Sequence, residues 1–117
     1  MARILVVDDE PHILKLVSFS LERSGHDVLQ APDAIEGIEL AREKKPDLIL
    51  MDVMMPVMDG YSFRTEQLKN DTWSKIPTVV MSAEANAKEK MKNFNITAFL
   101  SKPVELETIL KTVADFS

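Results

Sequence analysis

Asp47-Leu48-Ile49-Leu50-Met51-Asp52 is the stretch that decides the fold. Four apolar residues follow Pro46-Asp47 and end in a carboxylate. A run this short and this apolar reads as a strand buried on both faces. The end of such a strand is a costly place for a lone charge, because an unpaired carboxylate loses hydration there. Asp52 therefore either caps a turn or belongs to a site.

Other segments repeat the pattern on both sides. Ile4-Leu5-Val6-Val7 is a second short apolar run and also ends in acids, Asp8, Asp9 and Glu10. Pro11 suits the first helical position, and Ile13, Leu14, Val17 and Leu21 recur at helical spacing up to Gly25, a plausible C′ residue. A short strand is expected over 27–30. Asp33 and Glu36 have the spacing of a capping box, opening a helix to about residue 43 with Ala34, Ile38 and Ala41 inward. Lys44 and Lys45 suit its C-terminal dipole, and Pro46 stops it.

Beyond Asp52, Pro56 and Asp59-Gly60 mark a loop, and a helix is expected over 61–70. Pro77 to Ser82 reads as a strand ending in a hydroxyl. A helix over 86–92, a strand over 97–100 and a helix over 104–114 complete the chain. Five strands alternating with five helices imply an α/β fold, a parallel sheet covered on both faces.

The bulk numbers fit one domain over residues 1–117. Fourteen Lys and Arg against nineteen Asp and Glu give a net charge of −5, which argues against nucleic-acid binding. No Cys is present, so disulfides, thiolate metal sites and a cysteine nucleophile are excluded. The early strand leaves no room for a signal peptide, and no apolar run approaches a membrane span, so a cytoplasmic protein is expected.

In open α/β sheets, ligands bind beyond the carboxyl ends of the strands, where strand order reverses. Those ends here carry Asp8 and Asp9, Asp52, Ser82 and Lys102. Taken singly, the acids read as caps or turn residues, Ser82 as a loop hydroxyl and Lys102 as a solvated lysine. Collected on one edge, they read as a site. Crowded carboxylates raise one another's pKa unless a cation joins them. Few oxygen donors suit Mg²⁺, which keeps several waters and takes phosphate oxygens. A carboxylate beside it can attack phosphorus to give an aspartyl phosphate, with Lys102 and Ser82 meeting the phosphoryl oxygens.

Four motifs carry a resemblance: Val6-Val7-Asp8-Asp9-Glu10, Asp52-Val53-Met54-Met55-Pro56 with Asp59-Gly60, Val80-Met81-Ser82-Ala83, and Phe99-Leu100-Ser101-Lys102-Pro103. In this order and at strand ends, they make the chain resemble a response-regulator receiver domain, the phospho-accepting part of two-component signalling. The resemblance implies a doubly wound, flavodoxin-like sheet of order 2-1-3-4-5. It implies that Asp52 is the phosphoacceptor. Asp9 then binds Mg²⁺ directly, Asp8 largely through water, and the Met54 backbone carbonyl is a further ligand. Ser82 and Lys102 contact the phosphoryl group, and small Ala83 leaves the phosphodonor access. Phe99 matches a switching aromatic, and the Lys102-Pro103 bond is expected to be cis. The implied donor is a sensor histidine kinase or phosphotransfer protein, and the implied output surface is the fourth helix with the fifth strand. Such a domain is no enzyme beyond self-phosphorylation and slow autodephosphorylation.

Several positions depart from the family pattern. Ser82 stands where Thr is commoner, Asn95-Ile96 where Gly-Ala is often found, and Val104 where Phe is frequent. Phe99 lacks the hydroxyl of a Tyr, so any switch there works by packing. Met54, two residues after Asp52, cannot orient a water, and Glu84 is the one charged candidate in the corresponding position after Ser82. The apolar Met54 implies a long-lived phosphorylated state. A non-phosphorylated interaction module of the same fold is the second reading. An aspartate-nucleophile phosphatase would need an acid at position 54, and a nucleotide-binding fold lacks its glycine motifs.

Overall fold

The apolar run beginning at Leu48 is a strand, and it lies at the centre of the sheet. The computed structural model describes residues 2–52, 76–82 and 97–116. In chain order these form β1 (Arg3–Val7), α1 (Pro11–Arg23), β2 (Asp27–Ala31), α2 (Ala34–Lys44), β3 (Leu48–Asp52), β4 (Thr78–Ser82), β5 (Ala98–Ser101) and α3 (Leu106–Phe116). The helices expected over 61–70 and 86–92 and the loop over 53–60 lie outside the described residues. The last helix begins two residues later than expected and reaches Phe116.

The strands are hydrogen-bonded in the order β2-β1-β3-β4-β5, every pair parallel. All five residues of β3 are buried, and so are all five of β4. Both faces of the sheet are apolar for that reason, and the side chains divide by parity. Leu5, Val7, Ile49, Met51 and Val80 pack with Ala41 of α2 on one face, joined by half-buried Phe99. Ile4, Val6, Leu48, Leu50, Val79 and Met81 pack on the other against Leu14, Val17 and Leu21 of α1 and Ile109 and Val113 of α3. Burying such a side chain stabilises by about 1.5–3 kcal/mol. A one-residue slip of β3 would exchange its two faces, so the register is tightly specified.

The helix ends are built locally. Gly25 follows α1 with φ 96, where a Cβ would clash, and the Ser24 N–H closes back on the last turn. Asp33 caps α2 by accepting the Glu36 N–H at 2.9 Å. The C-terminal cap of α2 is Lys45, in the left-handed region at φ 46. Arg3 Nη1 donates to the Lys44 carbonyl at 3.1 Å, satisfying one acceptor at that helix end.

Helix α1 sets aside the capping alternative for the first two acids. Its N-cap is neither Asp8 nor Asp9 but Glu10, whose side chain accepts the His12 N–H at 3.3 Å. Pro11 occupies the first helical turn, which puts the cap one residue before it. Asp8 and Asp9 are thus released from capping and lie in the connection between β1 and the helix. Among the described residues, no helix is long and apolar enough to cross a membrane.

Candidate functional site

Strand order reverses between β1 and β3, because β1 has β2 on one side and β3 on the other. The chain leaves β1 toward α1 on one face, while β2 is followed by α2 on the other. A crevice opens there at the carboxyl ends, and the acids lie in it. Asp8 is fully buried, Asp52 is 5% exposed and Asp9 is exposed. One carboxylate oxygen from each of the three lies within 4.8 Å of the others.

Lys102 reaches the crevice from the end of β5. Its Nζ donates to Asp52 Oδ2 at 2.6 Å, an ion pair between a side chain 27% exposed and one 7% exposed. The approach is arranged by backbone pairing. Ser82 stands opposite Ser101 in the β4–β5 ladder, and the Lys102 N–H donates to the Ser82 carbonyl at 2.8 Å. Ser82 is 1% exposed at the end of β4, one residue beyond the Asp52–Met81 pair. The Lys102–Pro103 peptide is cis. The structure therefore brings Asp8, Asp9, Asp52, Ser82 and Lys102 to one edge of the sheet.

Phe99 lies farther from that edge. It pairs with Val80, which pairs with Met51, and it packs on the α2 face of the sheet. Met54, Ala83 and Glu84 lie outside the described residues. Sequence reasoning missed Glu10, whose N–H donates to Asp8 Oδ1 at 3.0 Å. The signal was present: a proline at the first helical position marks its predecessor as the cap. It also missed the half-buried state of His26, whose Nδ1 accepts the Ala2 N–H at 3.3 Å at the opposite end of β1.

The electrostatics are unbalanced. Among the described residues, three carboxylates gather beside the Lys102 ammonium. Burial pushes the Asp8 carboxyl above its ordinary value, and the charges of Asp52 and Asp9 add to this, against the Glu10 N–H and Lys102. Burial alone would lower the Lys102 pKa, but the hydrogen bond and charge of Asp52, with Asp8 and Asp9, raise it instead. Asp8 Oδ2 is buried and has no hydrogen-bond partner among the described residues. A buried carboxylate oxygen left this way is costly. An all-oxygen donor set, excess negative charge and an orphaned oxygen together fit a hard divalent cation such as Mg²⁺.

The comparisons with known proteins agree with this geometry. The model of the response regulator receiver domain matches residues 4–114. The chain is 38% identical over 115 residues to protein PilH of Pseudomonas aeruginosa, covering 97% of this chain and 95% of PilH. Chemotaxis protein CheY4 of Vibrio cholerae has a similar structure, with a TM-score of 0.91 at 33% identity over 100% of this chain and 99% of that one. The receiver domain of a sensor histidine kinase from Pseudomonas aeruginosa, solved with a magnesium ion coordinated in its active site cleft, gives a TM-score of 0.88 at 25% identity, covering 98% and 96%. A family match spanning nearly the whole chain, on a sheet wound in the same order, places this protein among the response regulator receiver domains of two-component signalling.

Proposed function

We propose that Asp52 accepts a phosphoryl group from a phosphohistidine on a sensor histidine kinase or phosphotransfer protein. The observation that carries this reading is the Asp52 carboxylate, held at the end of a fully buried strand with Lys102 at 2.6 Å and Asp8 and Asp9 within carboxylate reach. An Asp52 oxygen attacks phosphorus, the new O–P bond forms as the N–P bond breaks, and the imidazole nitrogen keeps the electron pair. β3 supplies rigidity, so little reorganisation is needed at that oxygen.

Asp8, Asp9 and Asp52 are the side chains that hold Mg²⁺ in this reading, with the Met54 carbonyl as a ligand implied by family resemblance. The magnesium ion in the cleft of the Pseudomonas aeruginosa kinase receiver supports the assignment. When bound, the ion neutralises phosphoryl charge that three carboxylates would otherwise repel. Lys102 exchanges the Asp52 carboxylate for a phosphoryl oxygen, and the Ser82 hydroxyl donates to another. Phosphorylation adds about 1.5–2 negative charges. The pull on Ser82 and Lys102 shifts the loop beyond β4, and Phe99 repacks with it. The fourth helix and β5 then form the surface that a partner reads. Ala83 leaves the donor access to Asp52.

The test is mass spectrometry of the whole chain with a small phosphodonor, with and without Mg²⁺. One phosphoryl group is gained only with Mg²⁺, and Asp52→Asn gains none. Equal labelling of Asp52→Asn would sink the assignment.

A further inference from the structure

Glu10 is an unusual choice for the N-cap of α1. Ser, Thr, Asp and Asn cap helices best, and Glu is not among them. Yet Glu10 links the helix to the carboxylate cluster. Its side chain accepts the His12 N–H at 3.3 Å, and its own N–H donates to Asp8 Oδ1 at 3.0 Å. Its carbonyl accepts the Leu14 N–H at 3.0 Å, and Leu14 is buried in the core. Pro11 confines Glu10 to extended backbone, observed at φ −89 and ψ 108. The Glu10 residue is thus held by its helix, and it holds one oxygen of Asp8. The other oxygen, Asp8 Oδ2, is buried without a hydrogen-bond partner among the described residues.

We infer that Glu10 is a positioning residue for the cation site, fixing Asp8 through its backbone N–H so that Oδ2 is presented to the ion or its water. The inference rests on the reading that Asp8, Asp9 and Asp52 hold Mg²⁺. Loss of the side-chain cap frees the first turn of α1, and the N–H that pins Asp8 Oδ1 moves with it. The Asp8 carboxylate then samples several orientations, and affinity for the ion falls.

Calorimetric titration of the full chain with MgCl₂ separates this role from two others, at a salt concentration of about 0.15 M that screens exposed charge. Glu10→Ala removes both the cap and the charge, and weakens Mg²⁺ binding roughly three- to tenfold. Glu10→Gln keeps the acceptor oxygen without the charge, and stays within about twofold of the parent. Equal weakening by Gln and Ala overturns the inference, because charge and not the cap would then be acting. Parent-like affinity of Glu10→Ala also overturns it, even if the urea midpoint falls, because a merely structural cap behaves that way. Absence of Mg²⁺ binding by the parent chain overturns the inference together with the reading beneath it, whereas the other two outcomes leave that reading standing.

Discussion

Lys102 and Asp52, 50 positions apart in sequence, meet at 2.6 Å across the carboxyl edge of the sheet. This one contact joins the end of β3 to the turn after β5, with β4 between them. It sets a positive charge against the acids gathered at this edge. Its removal therefore affects stability as well as chemistry.

Lys102→Met removes the ammonium that pairs with Asp52. Breaking a buried pair costs about 3–5 kcal/mol, and the partial exposure of Lys102 reduces the expected loss to about 2 kcal/mol. Urea unfolding with a chelator present measures it. The pH dependence has a definite sign. The Lys102 pKa is raised above 10.5 because the attraction to Asp52, Asp8 and Asp9 exceeds the burial penalty. A raised lysine contributes stability that is complete below its unfolded value and is lost as pH climbs through the folded one. The gap between the parent and Lys102→Met is constant through neutral pH and closes above pH 10.5. Identical urea midpoints at neutral pH would show that the pair contributes nothing.

Asp8→Asn works in the opposite direction. Burial first, then the Asp52 and Asp9 charges, raise the Asp8 carboxyl above 3.8. A carboxyl raised on folding binds its proton more tightly in the native state, so its ionisation opposes folding. That cost is absent below pH 3.8, grows as pH rises through the folded value and is complete above it. The Asn variant keeps an acceptor for the Glu10 N–H. At neutral pH without metal it is more stable by about 1 kcal/mol, a few degrees in Tm. Mg²⁺ stabilises the parent but not the variant, which thermal melts with and without MgCl₂ will show. A lower metal-free Tm for the variant contradicts the argument.

The strand ends were legible because an apolar run that stops at an acid is a strong local signal, as at Val7–Asp8 and Met51–Asp52. Gathering them on one edge needed only alternation and the handedness of crossovers. Contacts that depend on rotamers were not legible. Nothing in the periodicity says that Lys102 pairs with Asp52, or that Asp8 spends one oxygen on the Glu10 N–H. The cap of α1 was not legible from residue type, because Asp is a better cap than Glu by type, while backbone geometry imposed by Pro11 overrides type. Lys45 ends α2 in the left-handed region where Gly or Asn is usual, so residue identity pointed elsewhere.

Ser18 offers a test of the fold that is independent of the site. It is fully buried on α1, and its hydroxyl has no hydrogen-bond partner among the described residues. A buried hydroxyl without a partner costs about 1–3 kcal/mol, and Ala is the stronger helix former. Ser18→Ala removes the orphaned group and leaves a void smaller than a methyl group. We expect it to stabilise by about 1 kcal/mol, read as a higher urea midpoint with unchanged slope. A loss of stability would mean that the hydroxyl is satisfied in solution.

Hydrolysis of an aspartyl phosphate at Asp52 requires a water aligned opposite the bond that breaks. An amide or carboxylate near the phosphoryl group can hold that water; a thioether cannot. The residue two beyond Asp52 is Met54, and the one charged residue in the corresponding place beyond Ser82 is Glu84. Both lie outside the described residues. Asp52 itself is 5% exposed, which further limits unassisted attack. The apolar Met54 and the burial of Asp52 are therefore expected to prolong the phosphorylated state, with Glu84 the one carboxylate placed to oppose them. Met54→Asn adds a group able to hold the water, and should accelerate loss of the phosphoryl group roughly tenfold. The decay is followed by mass spectrometry after the phosphodonor is removed, with Mg²⁺ kept constant. An unchanged or slower decay in Met54→Asn would show that the apolar side chain is not what protects the acyl phosphate.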